Sequence, residues 1–360
     1  MKWNGNKSLA ITMWDFSWLE RRWPGAGYGD WGRILDELKM RGYDAVRIEA
    51  YPHLISADKT GFYELLPVWN TSDWGSPAPL TVSPYPALIE FIEACGEREI
   101  LIALSSWFRQ DKQETGKGIK TPEDLAKIWT DTLITIEKAG LLDSILYVDL
   151  CNEFPHQLWT PFLPEEAGHD ITLHSRNTLL YSWMNIPLDH MRSRFPDTEF
   201  TFSNIVCKDW KNRDLSILDF LELHIWMAAG DFYKQVGYNY ERFDPAGYEK
   251  IAANAEKIYR QNPEHWLGVL KELILTAAEE SVSSGRYLGT TEGWGIVDYK
   301  DWPGLDWGWV KETCAYGVSE ALKTGRWKYL CTSNFRGPQF RGMWDDISWH
   351  QRLAKQINAG

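Results

Sequence analysis

Eight short β-type runs, separated by amphipathic helical stretches along the whole chain, limit the folds open to this sequence more than any other feature. The runs are Leu9 to Phe16, Asp44 to Ala50, Glu99 to Trp107, Ile145 to Cys151, Glu199 to Asn204, Phe220 to Trp226, Tyr287 to Thr291 and Lys328 to Thr332. Helical periodicity fills most of the gaps, over Trp31 to Arg41, Pro86 to Arg98, Pro122 to Ala139, Leu173 to Phe195, His265 to Ser284, Trp309 to Lys323 and Ile347 to Asn358. Strands so nearly continuous in apolar residues belong in a parallel sheet covered by helices, and eight is the number that closes such a sheet into a barrel. The expected fold is therefore a (β/α)8 TIM barrel, with residues 1–360 as a single domain. An open doubly wound sheet is the runner-up, but it calls for a glycine-rich turn after the first strand. Here that strand runs into Trp14-Asp15-Phe16-Ser17-Trp18.

Punctuation agrees with these boundaries. Thr121-Pro122-Glu123-Asp124 combines a capping hydroxyl, a proline for the first helical position and acids in the first turn. Gly42, Gly140, Gly285 and Gly325 each follow a helical pattern where a terminating glycine belongs. The segments after strands two, four and six are long, about Tyr51 to Tyr85, Phe154 to Thr172 and Met227 to Pro245, and rich in aromatic residues, Pro and Gly. A barrel's chemistry sits at the C-terminal ends of its strands. Long loops there are expected to wall the cleft into a pocket suited to small or chain-end substrates.

Composition excludes several classes of function. The formal charge of −12, unbroken by any cluster of Lys and Arg, repels a polyphosphate backbone, so nucleic acid is not an expected partner. The 5 cysteines are odd in number, widely spaced and mostly inside apolar runs, which predicts reduced core residues rather than a disulfide framework or a zinc site. Met1-Lys2-Trp3-Asn4-Gly5-Asn6 carries no apolar signal core, and no later run is long enough to span a bilayer; the expectation is a cytoplasmic protein without a membrane partner. No metal or cofactor is expected.

The 21 tryptophans are the most unusual figure in the composition. Trp18, Trp23, Trp69, Trp74, Trp159, Trp294, Trp302, Trp307 and Trp344 fall in segments that read as loops. Flat indole faces stack on the C–H faces of sugar rings, and the competing reading for each is ordinary packing under a loop.

Two glutamates stand at strand ends. Glu153 closes the fourth run and Glu292 the seventh. A carboxyl delivered to the tip of a buried strand lies between a dry core and a wet cleft, where its pKa can be tuned, and a pair so placed points to glycoside chemistry. In Val46-Arg47-Ile48-Glu49, alternation puts Arg47 and Glu49 on one face, directed at the barrel mouth or paired with each other.

Asn152-Glu153 after strand four, Glu292 after strand seven, Arg47 on strand two and His224 on strand six together resemble the clan of retaining glycoside hydrolases built on (β/α)8 barrels, which includes cellulase-like families. The resemblance implies a hydrolase acting on a β-linked carbohydrate substrate. It makes Glu153 the general acid/base and Glu292 the nucleophile, their carboxyl groups about 5 to 5.5 Å apart. It implies that Glu292 stays charged beside Arg47, and that the second carboxylate raises the pKa of Glu153. Asn152 would bind the sugar 2-hydroxyl, and His224 would support the nucleophile or bind sugar. Further substrate-binding candidates are Trp226, Trp294, Asn334, Trp107 and Asp15, with Phe335 beside Asn334. Three departures touch specificity: Trp226 stands where many members have tyrosine, Ser333-Asn334-Phe335 where they have an aromatic platform, and Ser105-Ser106-Trp107 lacks a histidine often found there.

Two alternatives belong to other classes. Glu49, Glu153, His224 and Glu292 could ligate a divalent cation in a sugar isomerase or lyase, or the barrel could bind carbohydrate without turning it over.

Overall fold

Alternation along each strand decides what fills the centre of this molecule. The computed structural model describes residues 7–68, 73–170, 172, 177–228, 231–238 and 245–360. Eight strands form the central sheet: β1 Leu9–Asp15, β2 Ala45–Glu49, β3 Leu101–Ser105, β4 Ile145–Asp149, β5 Glu199–Thr201, β6 Leu221–Trp226, β7 Leu288–Thr290 and β8 Trp327–Cys331. They pair in parallel in the order β6-β7-β8-β1-β2-β3-β4-β5. A two-residue continuation of β5, Asn204–Ile205, pairs in parallel with Leu223 and His224 of β6, which closes the ring. The fold is a (β/α)8 barrel, as the sequence pattern predicts.

Residues two apart share a face, so the interior is layered. The lower layer is apolar, made by Leu9 and Ile11, Ala45, Ala103, Tyr147, Phe220 and Tyr329. One step up the same strands, the inward positions become Arg47, Ser105, Asp149 and Glu222, all fully buried. The polar layer separates the packed core from the C-terminal mouth.

Among the described residues, eight long helices cover the outside: α1 Trp31–Met40, α2 Pro84–Gly96, α3 Pro122–Lys138, α4 Thr178–Arg194, α5 Pro245–Gln261, α6 Pro263–Ser284, α7 Gly308–Lys323 and α8 Ile347–Ala359. In α3, Leu125, Ile128, Trp129, Thr132, Leu133 and Ile136 form one buried stripe at helical spacing. Its start is a reciprocal cap, with Asp124 N–H on Thr121 Oγ1 at 3.2 Å and Thr121 N–H on Asp124 Oδ2 at 3.0 Å. The four terminating glycines all have positive φ, and Gly285, at 69°, ends α6 in the left-handed conformation that a side chain disfavours.

Three expectations need amendment. Helix α5 falls in a stretch left unassigned by periodicity. The fourth helix begins at Thr178, capped by Asn177, whose side chain accepts the Leu180 N–H; residues 173–176 of the expected span lie outside the described residues, as do Met1 to Asn6, Trp69 and parts of the long segments after strands two, four and six. The segment after β2 is also not irregular throughout: it contains a short helix, Pro52–Ala57, and an antiparallel pair, Tyr63–Leu65 with Leu80–Val82. All five cysteines are free, four of them buried, and no helix among the described residues is long and apolar enough to cross a membrane.

The cap on α3 is exposed and local, so Thr121→Ala should lower unfolding free energy by about 1 kcal/mol with an unchanged denaturant slope. Urea titration followed by circular dichroism measures both.

Candidate active site

The upper inward positions converge on Arg47. Its Nη1 donates to Thr291 Oγ1 at 3.0 Å and Glu292 Oε1 at 3.2 Å. Its Nη2, with two hydrogens to share, lies 2.5 Å from Asp149 Oδ2, 2.7 Å from Asn152 Oδ1, 2.9 Å from Ser105 Oγ and 3.3 Å from Ser203 Oγ. The guanidinium also lies 4.6 Å from the centre of the Trp107 ring. Burial works against this charge, but Asp149 and Glu292 outweigh it and hold the group above its ordinary pKa. Arg47 lies beside Glu292, as the resemblance implies, and the alternative pairing with Glu49 does not form. Glu49 instead accepts the backbone N–H groups of Tyr51, at 2.6 Å, and Trp107, at 2.5 Å; burial pushes its pKa up to about 8 against these bonds.

Glu153 and Glu292 face each other above this layer. Their side chains are 15% and 13% exposed, while Arg47 and His224 show none. His224 stands between them, with Nδ1 at 2.9 Å from Glu153 Oε1 and 3.7 Å from Glu292 Oε2. One donor atom from each of the three lies within 4.8 Å of the other two. Glu153 is held on another side by a hydrogen bond to the Trp159 side chain. Its backbone has a φ of 46° and its N–H donates to Ser203 Oγ at 2.8 Å, so the strained exit from β4 is tied to β5.

Burial raises both carboxyls above the ordinary glutamate value. For Glu153 burial comes first, opposed by His156 and Arg47, with Asp149 adding to the rise. The second glutamate is therefore not the leading cause, contrary to the expectation. For Glu292 burial is again first, lowered by His224, raised by Glu153 and lowered by Arg47. The guanidinium moderates the rise in Glu292 without reversing it. His224 is pushed below the ordinary imidazole value by burial, with Arg47 acting in the same direction, so it is neutral near pH 7.

A cavity of about 210 Å³ opens over the pair. Of the sequence candidates, Asp15, Trp107, Asn152, Glu153, Trp226, Glu292 and Asn334 line it, and Arg47 and His224 lie directly beneath. Trp294 does not. Its indole is fully buried, donates to Cys331 O at 3.1 Å and rests on Gly317, where an added Cβ would meet ring atoms at 2.6 to 2.7 Å. The chain turns outward at Gly293, sending this ring into the helical layer. Phe335 is also buried, stacked behind Trp74 at 6.2 Å rather than facing the cavity. Among the loop tryptophans, Trp74 and Trp159 line the cavity. Trp18, Trp307 and Trp344 are packing residues, Trp302 stacks on Tyr248, and Trp23, 39% exposed, is not part of the cavity lining.

Several contributors, His156 and Ser203 among them, escaped sequence reasoning. Asp149 had a signal, since it is an acid inside an apolar strand and shares the inward face with Tyr147. Asp298 and Tyr233, which also line the cavity, sit in segments where an acid or an aromatic residue is unexceptional.

The trio Glu153, His224 and Glu292 offers two carboxylates and an imidazole, a donor set able to hold a divalent cation. Glu49, the fourth metal candidate, is not in this group. Arg47 already supplies the positive charge on the Glu292 side.

Residues 11–358 match the Cellulase-like family, described as sugar-binding and cellulase-like. The chain belongs to this family. A crystal structure of a candidate glycoside hydrolase from Parabacteroides distasonis is 47% identical, with a TM-score of 0.94 over 98% of this cellulase-like chain and 94% of the other. An endocellulase from Pyrococcus horikoshii in complex with cellotetraose has a TM-score of 0.55 at 13% identity, covering 96% and 92% of the two chains. An endo-1,4-β-D-mannanase from Thermotoga petrophila has 0.56 at 10%, covering 98% and 99%. At such identities the likeness to the last two is one of fold. No curated protein matches the chain in sequence. Family and neighbours together support a function of the glycoside hydrolase type.

Because the polar layer balances on one cation, Arg47→Met should cost about 3 to 5 kcal/mol by stranding Asp149. Chemical denaturation reads the loss, and Asp149→Asn in the same chain should recover part of it.

Proposed function

We propose that this protein is a retaining glycoside hydrolase acting on a β-linked glycoside or small oligosaccharide, with residues 1–360 forming one catalytic domain. The observation that carries the reading is the facing pair Glu153 and Glu292. Their nearest oxygens lie within 4.8 Å, with Arg47 on one and His224 between them. That closeness supports a double displacement, which needs carboxyls about 5 to 5.5 Å apart, over inversion, where a wider gap of about 6.5 to 9.5 Å admits a water.

In the first step a Glu292 oxygen attacks the anomeric carbon. The bond to the leaving oxygen breaks as that oxygen takes the proton of Glu153. In the second, water attacks the same carbon and gives a proton to Glu153, and the ester to Glu292 breaks. Arg47 stabilises the carboxylate that departs. Neutral His224 and the Trp159 side chain hold Glu153 in one orientation through both steps, and Asn152, anchored by Arg47, stands where the 2-hydroxyl would lie. The small cavity supports action on a chain end or a short oligosaccharide.

Glu292→Gly should lose nearly all turnover of a 4-nitrophenyl β-glycoside, and azide or formate should restore part of it; wild-type-like activity without rescue would remove Glu292 from the role. For Glu153→Ala, substrates with good leaving groups should suffer less in the first step than poor ones. Proton NMR of the first-formed sugar should show the configuration of the substrate.

The sign of the pH dependence follows from the two elevated carboxyls. Glu292 must be charged, so activity falls as pH drops through its raised pKa; Glu153 must be protonated, so activity falls as pH rises through its own. Both limbs of kcat/KM should therefore lie above 4.5, the ordinary glutamate value.

The one competing reading with an observation behind it is a cation held by Glu153, His224 and Glu292. Loss of activity on chelation, restored by a divalent metal, would favour it.

A further inference from the structure

Three buried polar side chains form one wall of the cavity without a part in the steps above. They are Asp298, from the loop after β7, Asn334, after β8, and Asp15, at the end of β1. These strands are consecutive in the ring, so the three residues make a continuous face. All are at least 97% buried. Asp15 Oδ1 accepts the Ser17 N–H at 2.5 Å, while its Oδ2 has no partner. Asn334 Nδ2 donates to Val297 O at 3.3 Å, while its Oδ1 has none. Asp298 Oδ2 accepts the Tyr238 hydroxyl at 3.0 Å.

A buried acceptor left without a donor costs about 1 to 3 kcal/mol. Two such oxygens on neighbouring cavity residues are therefore matched to donors brought by a ligand. The wall also adjoins Glu292 at the end of β7, and the nucleophile bonds to the anomeric carbon of the glycone. The glycone ring thus lies on this side, with the leaving group across the cavity beside Glu153, Leu158 and Trp159.

We propose that Asp15, Asp298 and Asn334 read the hydroxyl groups of the glycone, so that the site takes a neutral terminal hexose or pentose and rejects a uronic acid there. The proposal rests on the glycosidase reading of this cavity. Charge supports it: with Asp15, Glu153, Glu292 and Asp298, four carboxyls line the cavity, and no Lys or Arg is among the described residues that do. A sugar carboxylate would meet the charged Glu292 with no guanidinium free to pair it, since Arg47 beneath is taken by Asp149 and Glu292, and the lining imidazole, His156, stands by Glu153 on the leaving-group side. Burial lifts the carboxyl of Asp15 above its usual value and that of Asp298 to about 7. A carboxyl that keeps its proton near neutrality both donates and accepts, as a sugar hydroxyl does.

The test compares 4-nitrophenyl β-glycosides of glucose, galactose, mannose and xylose with the β-glucuronide, alongside tryptophan-fluorescence titration with the corresponding methyl glycosides. At least one neutral glycoside should exceed the glucuronide in kcat/KM by about 100-fold or more. Asp15→Ala, Asp298→Ala and Asn334→Ala should each lower kcat/KM and affinity for it by about 10- to 100-fold. Asp15→Asn, nearest in shape, should fall less, and the thermal midpoint shows whether each variant is folded. Preference for the glucuronide, failure to bind any neutral glycoside, or folded variants with undiminished affinity would overturn the proposal. Binding without turnover in the wild type would instead overturn the hydrolase reading and leave this wall standing, while turnover indifferent to all three substitutions would do the reverse.

Discussion

A single buried guanidinium sets the terms for the rest of this structure. Arg47 reaches Ser105 on β3, Asp149 on β4, Asn152 beyond it, Ser203 after β5 and Thr291 and Glu292 after β7. Taking such a cation out of water costs several kcal/mol, and only close opposite charges with full hydrogen bonding offset that cost. Asp149 answers most of the demand: one oxygen pairs with Arg47 Nη2 and the other accepts the Ser203 N–H at 2.7 Å, which fixes the carboxylate in place, while Arg47 Nε is left without a partner. Glu292 answers it partly and remains open to the cavity. The same cation thus organises a closed structural pair below and a half-free carboxylate above, with five strands held in register around it.

Much of the architecture was legible because it depends on periodicity, which a lone sequence displays. The eight runs became eight strands with ends shifted by up to three residues, the largest shift at Glu199–Thr201, and Thr121 and the four glycines marked helix ends because caps are local chemistry. Helix α5 was less visible. Its buried positions, Tyr248, Ile251, Ala255 and Tyr259, keep helical spacing, but four alanines and a glycine dilute the contrast. Trp294 shows the limit from the other direction. Two residues past Glu292, it would share that residue's face if the strand continued straight. Instead Gly293 and Trp294 pair with Ile225 and Trp226 at the end of β6, and the indole turns into the space over Gly317.

The tryptophans make the same point about the site. Composition announced an aromatic cleft, yet most of these rings are committed to packing. Trp14, Trp18, Trp31, Trp129 and Trp294 each donate the indole N–H to a main-chain carbonyl distant in sequence. A large ring is buried cheaply where its one polar atom finds such an acceptor, and the acceptor is a property of the fold, not of neighbouring residues. Trp74, Trp107, Trp159 and Trp226 reach the cavity for the complementary reason: the segments carrying them end over the polar layer. Asp298 was invisible on the same grounds, since burial distinguishes it from an ordinary loop aspartate and only tertiary structure confers burial.

The departures at strands three and eight acquire a physical role when the strand exits are compared. Asp15, Tyr51, Phe108 and Glu153, at or just beyond the ends of β1 to β4, all adopt positive φ, between 42° and 56° in company with the other non-glycine residues in that region. Such a conformation costs about 1 to 3 kcal/mol and persists only where its surroundings impose it. At three of these exits a strand-end side chain accepts the N–H two residues on: Asp15 from Ser17, Glu49 from Tyr51 and Ser106 from Phe108. Ser333 does the same for Phe335 after β8, and at β4 the constraint comes from Ser203 across the sheet. These short polar residues are turn-makers. Ser106 and Ser333 make the sharp bends that bring Trp107 and Asn334 onto the cavity. These turns decide which side chains reach the cavity, while the geometry of Glu153 and Glu292 is left to the Arg47 layer beneath.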